Sequence, residues 1–177
     1  MFILSIRKMN KIIVKDNFLD KPTFNSIKYT LFDQGRGDVF PWFLHDSKVE
    51  KGDNTVQLTH TFYYNNTINS QYFHTLDPIL KKLKVRALYG VKANVTMRAK
   101  KIILYKYHTD TEILKNEEIG KTGILYLYTT NGPTVFENGK KVDCVENRML
   151  IFPANIKHTG STHTDTLFRG VINFNWF

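Results

Sequence analysis

Cysteine occurs once in these 177 residues, as Cys144, so no disulfide can form within the chain and no thiolate cluster can hold a metal. Such sparing use fits a reducing compartment, and a cytoplasmic setting is the expectation. Proline (5) and glycine (10) are too few for a collagen-like or low-complexity chain. Long apolar runs are missing as well. The opening stretch MFILSIRKMN is only briefly apolar, lacks a small-residue cleavage site and is too short to span a bilayer, so neither a secretory signal nor a membrane partner is expected. Long basic runs are also absent. Lys plus Arg number 25 against 16 Asp plus Glu, a formal charge of +9. The basic residues are scattered, with small clusters at Lys81-Lys82-Leu83-Lys84 and Arg98-Ala99-Lys100-Lys101. Charge alone permits nucleic acid or an acidic partner, but no motif points to one.

Aromatic residues are plentiful at 14% of the chain. Many alternate with polar ones, which is the pattern of half-buried strands. The length suits one domain over 1–177, with N-terminal strands and helices over 1–84 and a β core over 85–177. Lys11 to Lys15 reads as a strand, and Asp20-Lys21-Pro22 supplies an N-cap and an early proline for a helix from Pro22 to Phe32. A strand is predicted over Val56 to Tyr64. A second helix over Ser70 to Leu83 follows from the spacing of Phe73, Leu76, Leu80 and Leu83. Beyond Val85 the helical period disappears. Strands are predicted over Arg86–Met97, Ile102–Tyr107, Gly123–Thr129, Thr134–Glu137, Lys141–Val145, Met149–Phe152 and Phe168–Phe177, with turns at Asn131-Gly132-Pro133 and Asn138-Gly139. Repeated strands without intervening helices imply a mainly β (α+β) fold. They would close on themselves as a barrel or sandwich, with the N-terminal helices packed on one face.

His108-Thr109-Asp110, then His158, then Arg169 is the pattern with most chemical content. Residues two apart on a strand share a face, so His108 and Asp110 can grip one ion and a distant His158 can complete a three-ligand site. Two imidazoles and a carboxylate on one side of an octahedral ion leave positions open for a cosubstrate and O2, an arrangement suited to non-heme Fe(II). The short interval from His158 to Arg169 predicts a hairpin, with Arg169 on a last long strand beside the one that carries the His. There its planar fork could hold one end of a dicarboxylate in two parallel hydrogen bonds.

The order His-x-Asp, His, Arg on a β-rich background after N-terminal helices resembles the Fe(II)/2-oxoglutarate-dependent dioxygenases, in particular their prolyl-hydroxylase-like branch. Asn131 to Phe136, Val145 to Arg148 with Phe152-Pro153, and Arg169 to Asn175 are similar to compact oxygenases common in marine bacteriophages. The likeness spans about Val85 to Phe177. It implies a double-stranded β-helix of jelly-roll or cupin type, and the cytoplasm of a host if the gene is phage-encoded. By position it makes His108, Asp110 and His158 the catalytic iron ligands and Arg169 the partner of the 2-oxoglutarate C5 carboxylate. Tyr126 matches a tyrosine that hydrogen-bonds the same carboxylate. Asn94, Thr96, Tyr105, Asn173 and Asn175 fall where the pocket wall is expected. Thr96 departs from the family, whose members often carry a second tyrosine there. The implied cofactors are Fe(II), 2-oxoglutarate and O2, with ascorbate as reductant in vitro. The implied reaction decarboxylates 2-oxoglutarate to succinate and CO2 and hydroxylates a C–H bond, with a peptide or protein as the expected substrate.

Two other readings stay open from the residues. One is a non-catalytic jelly-roll binding module, and the other a cupin-like metalloenzyme that does not use 2-oxoglutarate. His45, His60, His74, His163 and Cys144 receive no role. The stretches Gly35 to Lys51, with Trp42, and Thr111 to Lys121 are the expected substrate-facing lids.

Overall fold

The computed structural model describes residues 11–32, 40–46, 56–110 and 120–177. The chain begins with strand β1 (Ile13–Lys15) and helix α1 (Lys21–Phe32), followed by strands β2 (Phe43–His45), β3 (Gln57–Tyr64) and β4 (Thr67–Ile68). A 3₁₀ turn over Phe73–Leu76 runs into the short helix α2 (Asp77–Leu83). The remaining strands are β5 (Leu88–Met97), β6 (Lys121–Tyr126), β7 (Thr130–Phe136), β8 (Lys141–Cys144), β9 (Met149–Pro153), β10 (His158–Thr159) and β11 (Phe168–Trp176).

Two antiparallel sheets result. The larger runs β1-β9-β6-β11-β5-β3-β2 with β4 added to β3, and the smaller runs β10-β7-β8. Sequence neighbours are often separated within a sheet, so the strands wind across the sandwich as a double-stranded β-helix requires. The period of two then sorts the side chains of the large sheet. From β11, Ile172, Phe174 and Trp176 join Leu125 of β6 and Phe24, Ile27 and Leu31 of α1 in one buried cluster. On the opposite face, Val171, Ile124 and Tyr126 meet Phe136, Val142 and Phe152 in a second cluster. The helices thus cover one face of the large sheet, and the small sheet covers the other. Each large side chain so buried contributes about 1.5–3 kcal/mol. Trp176, fully buried, lies against Gly123, where an added Cβ would come within 2.9 Å of the indole.

Local chemistry accounts for the element ends. The Asp20 carboxylate accepts from the Thr23 N–H at 2.9 Å and caps α1. Lys84 closes α2 with a left-handed φ of 55°. In the β7–β8 hairpin, Gly139 takes φ 83° and its N–H donates to the Phe136 carbonyl at 2.9 Å.

Four expectations need correction. The helix over Ser70–Leu83 is shorter, a 3₁₀ turn followed by seven α-helical residues. Ile102–Tyr107 forms no strand. It runs beside 160–162, with an isolated bridge from Leu104 to Ser161 and backbone hydrogen bonds from the Tyr105 N–H to the Gly160 carbonyl and from the Thr162 N–H to the Ile103 carbonyl, and Ile102, Ile103 and Leu104 are exposed. Apolar content there reflected something other than burial. Asn131-Gly132-Pro133 lies inside β7 rather than in a turn, and the β7–β8 register breaks between Thr130 and Thr134. Pro133 lacks a ladder donor, and a Cβ on Gly132 would sit 2.8 Å from the Thr162 carbonyl, so the strand bulges instead of reversing. Finally, the strand carrying His158 does not neighbour the one carrying Arg169: β10 pairs β7 in the small sheet, whereas β11 lies between β6 and β5 in the large one.

Candidate metal and cosubstrate site

His108 and His158 come together across an isolated bridge, and Asp110 follows on irregular chain two residues after the first. The Asp110 Oδ1 atom lies 3.6 Å from Nε2 of both histidines. One ligand atom from each of the three residues falls within 4.8 Å of the other two. Donors on one face of an octahedral ion at bonds of about 2 Å stand about 3 Å apart, so a contraction of the cluster would bring all three into contact with it. Each imidazole is oriented from behind. His108 Nδ1 faces the Lys106 carbonyl at 3.1 Å and His158 Nδ1 faces the Ile156 carbonyl at 3.4 Å. A carbonyl only accepts, so each Nδ1 carries a ring proton, and Nε2, on the Asp110 side, is the nitrogen that a neutral ring has left to ligate a cation.

The electrostatics fit the same use. Burial would raise the Asp110 carboxyl pKa, yet His158 and His108 together outweigh it and hold it below the ordinary value. His158 is held low by burial, with Asp110 partly opposing. For His108, burial acts downward, but the hydrogen bond and charge of Asp110 prevail and raise its pKa. Asp110 Oδ2 is buried with no hydrogen-bond partner among the described residues, an unmet demand that a cation would meet. On donor type and placement these residues fit a divalent ion, and His108, Asp110 and His158 are the ones that would hold it.

Arg169 is 7% exposed, and no carboxylate pairs with it among the described residues. Its Nε donates to the Gly132 carbonyl at 3.1 Å and its Nη2 to Thr134 Oγ1 at 3.4 Å. The guanidinium stands 5.6 Å from the Tyr126 ring. A buried cation without a counter-charge is costly, so this geometry calls for an anion. The Tyr126 hydroxyl donates to Thr134 Oγ1 at 2.7 Å. Burial pushes the Tyr126 phenol up to about 12, against the opposing effects of Arg169 and Thr134. With both acceptor positions of its hydroxyl used, Thr134 has its own proton left to donate.

These groups line one cavity of about 500 Å³, within the range of small-molecule sites. Asn94, Thr96, Tyr105, Asn173 and Asn175, all anticipated from the sequence, line it as well, together with the ligand cluster and Arg169. Asn94 Oδ1, Thr96 Oγ1 and Asn173 Oδ1 are buried without partners among the described residues. Tyr126 is reached through Thr134 and is not itself in the lining. Thr134 and Lys92 were missed. The period of two could have found Lys92, which shares a face of β5 with Asn94 and Thr96; Thr134 carries no comparable signal, because Asn131-Gly132-Pro133 before it has the composition of a turn. Trp42 packs against Phe32 and Phe40, with its indole N–H on the Leu31 carbonyl at 3.2 Å, and does not line the cavity. The rest of the expected lids, 111–119 and most of 35–51, lies outside the described residues.

No protein-family model and no curated protein matches this sequence. Solved structures do. An oxidoreductase of the 2OG-Fe(II) oxygenase family from Burkholderia pseudomallei aligns with TM-score 0.69 and 11% identity, covering 93% of this chain and 84% of its own. A prolyl hydroxylase from Trichoplax adhaerens, in complex with a hypoxia inducible factor peptide fragment, gives 0.67 and 12% over 95% and 84%. The viral collagen prolyl hydroxylase of Paramecium bursaria chlorella virus-1, in its 2OG complex, gives 0.60 and 12% over 93% and 94%. The fold is therefore the double-stranded β-helix of the 2OG-Fe(II) oxygenases, prolyl hydroxylases among them. In that fold, this chain brings together a His-Asp-His cluster able to hold a metal.

Proposed function

We propose that the protein is an Fe(II)- and 2-oxoglutarate-dependent oxygenase that hydroxylates a C–H bond of a prolyl or other peptidyl residue. One observation carries the reading. A three-donor metal cluster and a buried Arg169 with no carboxylate partner among the described residues line the same cavity, and a dicarboxylate has the charge to satisfy both at once. His108, Asp110 and His158 hold Fe(II) in this proposal, and Arg169 binds the C5 carboxylate with the Thr134 hydroxyl beside it. Tyr126 holds Thr134 in place. Asn94, Thr96, Tyr105 and Asn173 wall the pocket, and the unmet polar atoms of Asn94, Thr96 and Asn173 are available to the cosubstrate and the acceptor.

Iron held there would supply, with O2, the oxidising chemistry that turns 2-oxoglutarate into succinate and CO2. The chain's share is to orient the imidazoles through the Lys106 and Ile156 carbonyls and to keep the cosubstrate's charge away from bulk water. Peptidyl acceptors are favoured by the prolyl hydroxylases among the structures that share this fold. The buried lone cysteine fits a cytoplasmic setting, and no helix among the described residues is long and apolar enough to cross a membrane.

The test is succinate formation from 2-oxoglutarate by the purified protein with Fe(II), O2 and ascorbate. Slow uncoupled turnover is expected without acceptor, and its loss in His108→Ala. Well-folded protein that binds neither the metal nor the diacid contradicts the reading.

A further inference from the structure

The cavity's polar lining continues beyond what a metal and a five-carbon diacid require. Antiparallel pairing of β5 with β11 sets Thr96 opposite Arg169, Asn94 opposite Val171 and Lys92 opposite Asn173. Lys92 and Arg169 thus mark separate levels of the cavity, four residues or about 13 Å of strand apart. Asp110 acts on Lys92 electrostatically, so Lys92 stands on the metal-ligand side. A cosubstrate running from Arg169 to the metal leaves that level free.

Charge makes the same point. A divalent ion, Asp110, Arg169 and a dicarboxylate dianion cancel one another, and Lys92 is the charge left over among the described cavity residues. No hydrogen bond or ion pair engages its ammonium among them. Its side chain is accessible, yet enough protein surrounds the ammonium to hold its pKa below the ordinary lysine value. It lines the cavity and remains open to solvent. Beside it, Asn173 Oδ1 is buried and unpartnered, and Tyr63, Tyr64 and Tyr89 wall this end of the cavity. A lone ammonium next to carboxamides and aromatic rings suits a carboxylate; a phosphate backbone calls for several cations along a track.

We propose that Lys92, with Asn173 beside it, binds a carboxylate of the acceptor substrate, so that the enzyme selects acceptors with a carboxylate close to the oxidised carbon. This inference rests on the oxygenase function above and assigns its substrate class. The carboxylate comes from a neighbouring Asp or Glu side chain or from a peptide C-terminus.

The experiment uses the full chain with Fe(II), 2-oxoglutarate and ascorbate on three pools of short random peptides: amidated without Asp or Glu, amidated with Asp or Glu, and free-acid without Asp or Glu. Mass spectrometry reads products heavier by one oxygen atom. Product is expected in one or both acidic pools and not in the neutral pool, which also separates the two sources. Lys92→Met should lower that yield about tenfold or more, the size of a charge-assisted contact. Lys92→Arg should retain most of it. Both variants should bind 2-oxoglutarate as the parent does in anaerobic titration, a readout that a folding defect would fail. Equal product in the neutral pool, oxidation of an oligonucleotide instead, product in no pool, or an unchanged yield in Lys92→Met overturns the inference. Absence of 2-oxoglutarate binding by the parent protein is a separate result, and it overturns the function beneath.

Discussion

His108 and His158 are joined by a reciprocal backbone pair: each N–H donates to the other's carbonyl at 3.0 Å. Their rings stand 4.9 Å apart as a result. Residues distant in sequence are thereby fixed as neighbours by the main chain, before any ion is bound, and the imidazoles need little reorganisation to ligate one.

Removal of either histidine should therefore weaken metal binding severely without unfolding the chain. His108→Ala and His158→Ala are each expected to weaken Fe(II) binding by about 100-fold or more, beyond the loss typical of a mere supporting partner. Anaerobic metal titration with circular dichroism as a folding control measures this. Affinity should also fall on acidification, because protons compete for the Nε2 positions. The raised pKa of His108 makes that competition begin above the ordinary imidazole range.

Arg169→Ala should weaken 2-oxoglutarate binding by about tenfold or more, since a charge-assisted pair in a buried site is lost. Tyr126→Phe removes only the hydrogen bond that positions Thr134, a matter of about 0.5–1.5 kcal/mol, so a loss of up to about tenfold is expected. Fe(II) affinity should change little in either variant. Equilibrium titration with each ligand separately distinguishes these outcomes.

Much of this site was legible in the sequence because it depends on identity and order. His108, Asp110, His158 and Arg169 carry a donor set that few other arrangements would explain, and the period of two correctly grouped Asn94 with Thr96 and Arg169 with Asn173. What stayed hidden depends on three-dimensional closure. The β10–β7 pairing that sets His158 across the sandwich from Arg169 leaves no local trace. The bulge at Gly132-Pro133 mimics a turn, because Gly and Pro interrupt a ladder and a chain reversal alike. Ile102 to Leu104 look like a strand by composition, though they lie exposed. The helix reading of Ser70–Leu83 overshot because Ser70 serves another purpose, accepting the Tyr72 N–H at 3.1 Å.

That same Ser70 supports a stability prediction away from the metal cluster. His60 Nδ1 faces the Pro41 carbonyl and Nε2 the Ser70 hydroxyl, both at 2.7 Å, so the neutral ring donates at one end and accepts at the other. Burial lowers its pKa, partly offset by the Pro41 bond. A lowered folded-state value means that the contribution is present above the unfolded imidazole pKa of about 6.5 and is lost as pH falls through the lower folded value. Urea unfolding at a series of pH values should show this loss, and His60→Gln should be less stable and flatter over that window.

Close packing on the helix-covered face gives a further test. A Cβ at Gly123 would meet the Trp176 ring at 2.9 Å, and this indole is fully buried in the larger cluster. Gly123→Ala is expected to cost about 1–3 kcal/mol, as overpacking does. The denaturant midpoint should fall, while Fe(II) and 2-oxoglutarate affinities measured on the folded fraction stay near those of the parent.

The central claim is that one cavity binds a metal through His108, Asp110 and His158 and a dicarboxylate through Arg169. Anaerobic titration of 2-oxoglutarate into the Fe(II)-loaded protein, followed by the visible charge-transfer absorption of the chelate, tests it most directly. A saturable band is expected, which His108→Ala eliminates and Arg169→Ala shifts to about tenfold or more higher 2-oxoglutarate concentration. A folded protein that develops no such band, or an Arg169→Ala variant that titrates like the parent, would contradict it.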